Sequence, residues 1–174
     1  MERVYKIKKT LQTPMILAVL ISIPVFVDVF RRGYETRILV MASLLVILFY
    51  LFTLNNLIKR LTVSDSGVVL KSLFGSNSAS FADIKLIDGI SFGSRQFIGV
   101  TAKKYLLIPN SFDDFAAIID DISAMAREET LGKGLAQMRA NIVNRRSDIT
   151  MAWIVVLLLI LCNVVLFFPG LSLF

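Results

Sequence analysis

The chain has 174 residues, 56% of them hydrophobic, and a mean hydropathy of +0.72. That is too apolar for a soluble globular protein of this length, and leaves room for one modest folded domain and a few membrane spans. The net charge of +6 invites a nucleic-acid reading, but residues 61–128, the one long polar stretch, hold six basic and eight acidic side chains. The surplus Lys and Arg therefore lie in the flanks, as in the basic loops of membrane proteins, and no nucleic-acid partner is expected. With no histidine and Cys162 as the single cysteine, no intrachain disulfide forms.

In chain order, residues 1–9 are short and basic, with Arg3, Lys6, Lys8 and Lys9. The uncharged run Thr10 to Val27 follows, interrupted by Pro14 and Pro24. It is just long enough to cross roughly 30 Å of hydrocarbon at about 1.5 Å per residue, or to form a re-entrant arm. It could pass for the apolar core of a signal peptide, but Asp28-Val29-Phe30-Arg31-Arg32 lacks the small residues of a cleavage site, so it is expected to be retained. Asp28 and Arg31/Arg32 are spaced as helical neighbours and read as a local ion pair. Gly33 sits in the charged connection to a second uncharged run, Ile38 to Ile58, which ends at Lys59-Arg60. Residues 1–60 therefore read as a basic N-terminus and a transmembrane helical hairpin with spans of about 11–28 and 38–58.

The polar stretch 61–128 reads as strands. Leu61-Val63 and Val68-Leu73 form a hairpin about Asp65-Ser66-Gly67, and Gly75-Ser78 is a further turn signal. Residues 80–84, 85–92, 96–101 and 105–108 follow as strands, six in all, which argues for a strongly bent antiparallel sheet or small barrel. Ser111 is placed as the N-cap of a helix over 111–128, with Asp114 three residues on. Phe112, Phe115, Ile118, Ile119, Ile122 and Met125 make one apolar stripe on it; Asp113, Asp114, Asp120 and Asp121 take a solvated opposite face rather than a metal or acid–base site.

Residues 129–148 are a basic connector loosened by Gly132 and Gly134, with Leu135, Met138, Ile142 and Val143 opposite Lys133, Arg139, Arg145 and Arg146. Such a segment lies in the headgroup plane or extends the next span. Residues 149–174 form the C-terminal transmembrane helix, with Trp153 and Phe167-Phe168 as interfacial aromatics and Pro169-Gly170 ending it. Ten Lys and Arg on the side shared by the N-terminus and the polar stretch, against three in the hairpin loop, orient that side to the cytoplasm. The expected fold class is thus an α+β membrane protein: transmembrane hairpin, small bent sheet capped by one helix, transmembrane helix.

The Asp-Ser-Gly hairpin, the segment SFADIKLI, the paired strands and YLLIPNSFDDFAAIIDDI together resemble the bacterial pleckstrin-homology-like domain. The resemblance covers roughly residues 60–128 and rests on pattern. It implies a bent sheet with one C-terminal helix plugging its mouth, in a small multi-pass protein of the bacterial cell membrane. Members of the wider fold usually have seven strands, one more than the six counted, and the phosphoinositide-binding ones carry a basic cluster in the first hairpin, where this chain has only Lys71. Nothing in it implies catalytic residues or a cofactor.

No residue set reads as an active site or metal site, and three spans with one edge carboxylate offer little for ion or proton handling. The expected function is non-enzymatic: the cytoplasmic domain binds protein, as a homo-oligomer or with another membrane protein, through exposed strand edges. The alternative is binding of anionic lipid or a small ligand at the membrane surface, with Lys59, Arg60, Lys133, Arg139, Arg145 and Arg146 as headgroup contacts.

Overall fold

The computed structural model describes residues 2–143 and 146–167. The chain divides into two compact units, one of Met1–Lys9 with Leu57–Ser147, the other of Thr10–Asn56 with Asp148–Phe174.

The first unit is α+β. Its strands are β1 (Glu2–Lys6), β2 (Arg60–Ser64), β3 (Gly67–Ser72), β4 (Gly75–Ser80), β5 (Leu86–Phe92), β6 (Arg95–Thr101) and β7 (Tyr105–Pro109). They form two antiparallel sheets, ordered β1-β2-β3-β4 and β5-β6-β7. Alternation sets the faces of β2: Leu61 and Val63 are fully buried, while Arg60, Thr62 and Ser64 look outward. The core is closed by α3 (Phe115–Met125), whose Phe115, Ile118, Ile119 and Ile122 are buried at the expected helical spacing.

Three segments differ from expectation. The basic N-terminus is a strand: β1 pairs with β2 from Glu2↔Ser64 to Lys6↔Arg60, across the whole inserted hairpin. It is the seventh strand. The expected turn at Gly75-Ser78 is strand β4, the turn being Leu73-Phe74, and residues 81–85 are not a strand. Gly, Ser and Asn favour turns locally, but here a complete ladder to β3 overrides that preference. The helix also starts later than Ser111. Segment 110–113 is occupied by the end of β1, through Lys8 N–H to Ser111 O (3.0 Å), Asp113 N–H to Lys6 O (2.7 Å) and a bridge between Ile7 and Phe112. Asp114 caps instead, in left-handed backbone (φ 45°), its carboxylate accepting from Ala117 N–H at 3.3 Å.

The connector is folded onto the domain rather than lying free. Leu131 bridges Ile87, Gly132 N–H donates to Ile87 O (2.7 Å), and α4 (Lys133–Ala140) packs on β5 with Leu135 and Met138 buried. Gly132 and Gly134 serve close approach, not looseness. A Cβ on Gly89 of β5 would stand 2.4 Å from Gly134 O.

The second unit holds α1 (Lys9–Arg31), α2 (Thr36–Ile58) and α5 (Arg146–Phe167), three helices long and apolar enough to cross a membrane. Pro14 and Pro24 both lie inside α1, and Asp28 accepts from Arg32 Nε at 2.6 Å, the local pair expected. Ser22 Oγ lies 3.0 Å from Tyr50 OH, and Asn163 Nδ2 donates to Ile21 O (3.0 Å). Phe168 and Pro169-Gly170 lie outside the described residues.

Candidate functional site

Four places in the α+β unit hold polar side chains in defined geometry. The first joins β1 to α3. Arg3 and Tyr5 alternate with Val4 on β1 and face the helix, where Arg3 Nη1 lies 2.7 Å from Asp121 Oδ1 and Tyr5 OH donates to Asp121 Oδ2 at 2.5 Å. Burial, followed by the bond to Asp121, pushes the Tyr5 phenol up to about 12. Asp121 is therefore not on the solvated face expected of it; its side chain is 14% exposed.

The second joins α4 to α3. Arg139 donates from Nε and Nη2 to the two oxygens of Asp120, at 2.7 and 2.8 Å. Those donors hold the Asp120 carboxyl below its usual range. A bidentate pair with both partners well exposed is a surface staple of modest strength.

The third is a buried polar clamp. Gln96 of β6 donates from Nε2 to Asn141 O (2.8 Å) and accepts at Oε1 from Val143 N–H (2.9 Å). Asn110 Nδ2 donates to Ser94 O and Val143 O, both at 3.1 Å. The clamp fixes the chain shortly before α5 begins. Each glutamine and asparagine uses its side chain to satisfy backbone that no ladder reaches.

The fourth is a shallow polar depression lined by Ala82, Asp83, Ile84, Lys85, Arg127, Glu129 and Thr130. Asp83 is paired with Lys103 (3.4 Å), and Arg127 reaches both Glu129 (3.1 Å) and Ile84 O (3.3 Å). Three of its ionic groups, Asp83, Arg127 and Glu129, are thus already matched within the fold. Among the described residues no group of His, Cys, Asp and Glu side chains is brought together to hold a metal ion.

Five of the six expected headgroup contacts lie among the described residues. Lys59 is half-buried between α2 and β2, and Arg60 is exposed on β2. Lys133 stands at the start of α4, Arg139 is committed to Asp120, and Arg146 opens α5. Arg145 lies outside the described residues. The structure instead groups Arg60 with Lys6 and Lys71, its direct partners on β1 and β3. Lys6 escaped sequence reading because the alternation in Val4-Tyr5-Lys6-Ile7 is short and its pairing partner follows the whole hairpin.

The β4 edge is the remaining feature. Among the described residues β4 pairs only with β3, and five of its six residues, Gly75, Ser76, Asn77, Ser78 and Ser80, are exposed. The chain matches no protein-family model, no curated protein and no solved structure.

Proposed function

We propose that this chain is a non-catalytic membrane protein of the bacterial cell membrane, its pleckstrin-homology-like domain on the cytoplasmic side binding protein by strand addition. Four-plus-three antiparallel strands followed by a helix that closes the core support the domain assignment, and the seven strands among the described residues equal the number usual in the wider fold. Three helices of spanning length support the anchoring.

The observation that carries the binding role is the open side of β4. Its sequence, GSNSAS, has no charge, no proline and no large side chain, so none of the usual devices that keep a sheet edge from pairing is present. The free backbone groups of such an edge bond a partner strand, and its small side chains let that strand approach closely. Of the other sheet edges, β1 is covered by segment 110–113 and β5 by Leu131 and α4, while β7 pairs only with β6 among the described residues. A second copy of the chain or another membrane subunit fits this edge equally well.

The test is the mass of the full-length protein in mild detergent by light scattering, with identification of co-eluting chains. A defined oligomer or stoichiometric partner is expected, lost in the double variant Asn77→Lys/Ser78→Lys, which places two charges on the edge. A monodisperse monomer without a partner would sink the reading.

A further inference from the structure

The four-stranded sheet concentrates cations at one end of its outer face. Its register sets Lys6, Arg60 and Lys71 side by side across β1, β2 and β3, with Ser76 of β4 completing the row. All three cations are exposed, and among the described residues none has an ion-pair or side-chain hydrogen-bond partner. Like charges directly opposite on neighbouring strands repel. The fold thus keeps an arrangement that works against it unless an anion lies across the row. The other end of the same strands carries Glu2, with Asp65 in the adjoining turn.

The cationic end is where the chain leaves the domain. Lys6 precedes α1 by three residues and Arg60 follows α2 by two, so chain length alone keeps both within about 10 Å of those helix ends. The β3–β4 turn closes at this end too, and there Phe74 is 75% exposed. The second sheet repeats the pattern. Its β5–β6 turn, with Gly93 in left-handed backbone (φ 58°), presents Phe92 at 71% exposure beside Arg95. Ser94 of this turn lies 3.0 Å, Oγ to Oγ, from Ser147 in the first turn of α5. A hydrogen-bonded path runs from Ser94 through Asn110 and Ser111 to Lys8, just before α1. The three exits to apolar helices and both phenylalanine-tipped turns therefore belong to one end of the domain.

We propose that this end docks on anionic headgroups of the membrane in which the chain itself is anchored. Lys6, Arg60 and Lys71 take headgroup phosphates by charge-assisted hydrogen bonds, and Phe74 and Phe92 sit at the boundary of the acyl chains. Scattered apolar side chains on a surface need no explanation. Here the two most exposed phenylalanines of the domain both stand at turn tips beside exits to spanning-length helices. Because the helices hold the domain at the surface, docking is intramolecular, and weak contacts suffice to hold it down. The inference does not depend on the β4 edge.

For the same reason a vesicle-pelleting assay is uninformative and a local probe is needed. Trp153 is the only tryptophan, so full-length protein carrying Trp153→Phe with Phe74→Trp reports position 74 alone. It is reconstituted into vesicles of phosphatidylcholine, with or without phosphatidylglycerol, that carry lipids brominated high on the acyl chain. In the anionic vesicles the emission is expected to shift to the blue and to be quenched by the brominated lipid. That quenching should fall about twofold or more in Lys6→Gln/Arg60→Gln/Lys71→Gln and at high salt. Phe92→Trp in the same background gives a second, independent probe of the surface. Water-like emission at both positions, regardless of lipid, would overturn the proposal. So would quenching indifferent to salt and to the triple substitution. A blue shift that ignores the brominated lipid but grows with protein density would overturn it as well, since a second copy would then cover the site.

Discussion

The two units of this chain bury opposite kinds of residue. In the α+β unit the interior is Leu61, Val63, Ile87, Ile98, Ile108, Phe112 and Ile118. In the helical unit the buried positions are mainly small or polar, Pro14, Ala18, Ser22 and Thr53, whereas Met41, Leu45, Phe52 and Leu157 are all more than 60% exposed. Water makes burying a large apolar side chain the main source of stability. Hydrocarbon offers no such gain, so helices meet there through small residues and hydrogen bonds such as Asn163 to Ile21. On the proposed membrane reading the same chain is written for two solvents, and the change occurs at the basic residues around Lys9, Ile58 and Arg146.

The contrast is most easily broken by matched truncations. Phe112 is fully buried where β1, the segment after β7 and α3 converge. Phe112→Ala should destabilise the α+β unit by about 3–5 kcal/mol, read as a shift in the urea midpoint for proteolysis of that unit in the full-length protein. Leu45→Ala, on an exposed face of α2, should change stability by no more than about 0.5 kcal/mol in detergent. Equal losses at the two positions would show that Leu45 is buried in an assembly, and the two-solvent reading of α2 would fall.

The contact between α4 and β5 gives the next largest effect. The backbones meet at Gly89 and Gly134, and a Cβ on Gly89 would also come within 2.8 Å of Gly134 C. The neighbouring atoms are backbone, which cannot swing aside. Gly89→Ala is therefore expected to cost about 1–3 kcal/mol. Faster hydrogen exchange over residues 133–140 is the readout. Unchanged exchange there would mean that α4 is not held by this approach, and the connector would revert to a free amphipathic segment.

Which parts of this were legible in the sequence follows from which interactions are local. The stripe Phe115, Ile118, Ile119 and Ile122, the Asp65–Gly67 hairpin and the three apolar helices each announce themselves within one window of residues, and each is present. The strands that local patterning does not announce depend on distant partners. β1 is joined to β2 across α1 and α2, and β4 is a serine-rich segment made extended by its ladder to β3. Missing β1 hid two further features: the partners of Asp121, which are Arg3 and Tyr5, and the basic row, which exists only through the register of Lys6, Arg60 and Lys71. The connector is opaque to local reading for a related reason. Its glycines signal flexibility in isolation, and only the facing glycine of β5 turns them into a packing surface.

Inside the helical unit, Asn163 sharpens the comparison. Its side chain donates to Leu159 O on its own helix (2.8 Å) and to Ile21 O on α1 (3.0 Å). Asn163→Leu removes the interhelical bond while keeping the volume apolar. The expected loss is only about 0.6 kcal/mol, at most about 1.7, since a freed carbonyl in a membrane finds other partners. A reversible unfolding measurement of helix association in bicelles reads it. A loss as large as that expected for Phe112→Ala would show that polar contacts, not close approach of small residues, dominate this unit.

The smallest expected effect is the pH response of the Asp120–Arg139 staple. Arg139 holds the Asp120 carboxyl below the ordinary carboxylate range. A carboxyl lowered in the folded state contributes stability that is fully present above its unfolded value, about 4, and is lost as pH falls through the lowered folded value. Hydrogen exchange of α4 should thus be insensitive to this pair from neutral pH down to about 5 and rise only in more acidic solution. Other carboxylates titrate in the same window, so the informative quantity is the difference from Asp120→Asn. That variant should exchange slightly faster at neutral pH and converge with the parent in acid, because only the parent has a staple to lose. A constant difference across the whole range would mean that the Asp120 side chain supports α4 through packing rather than through charge.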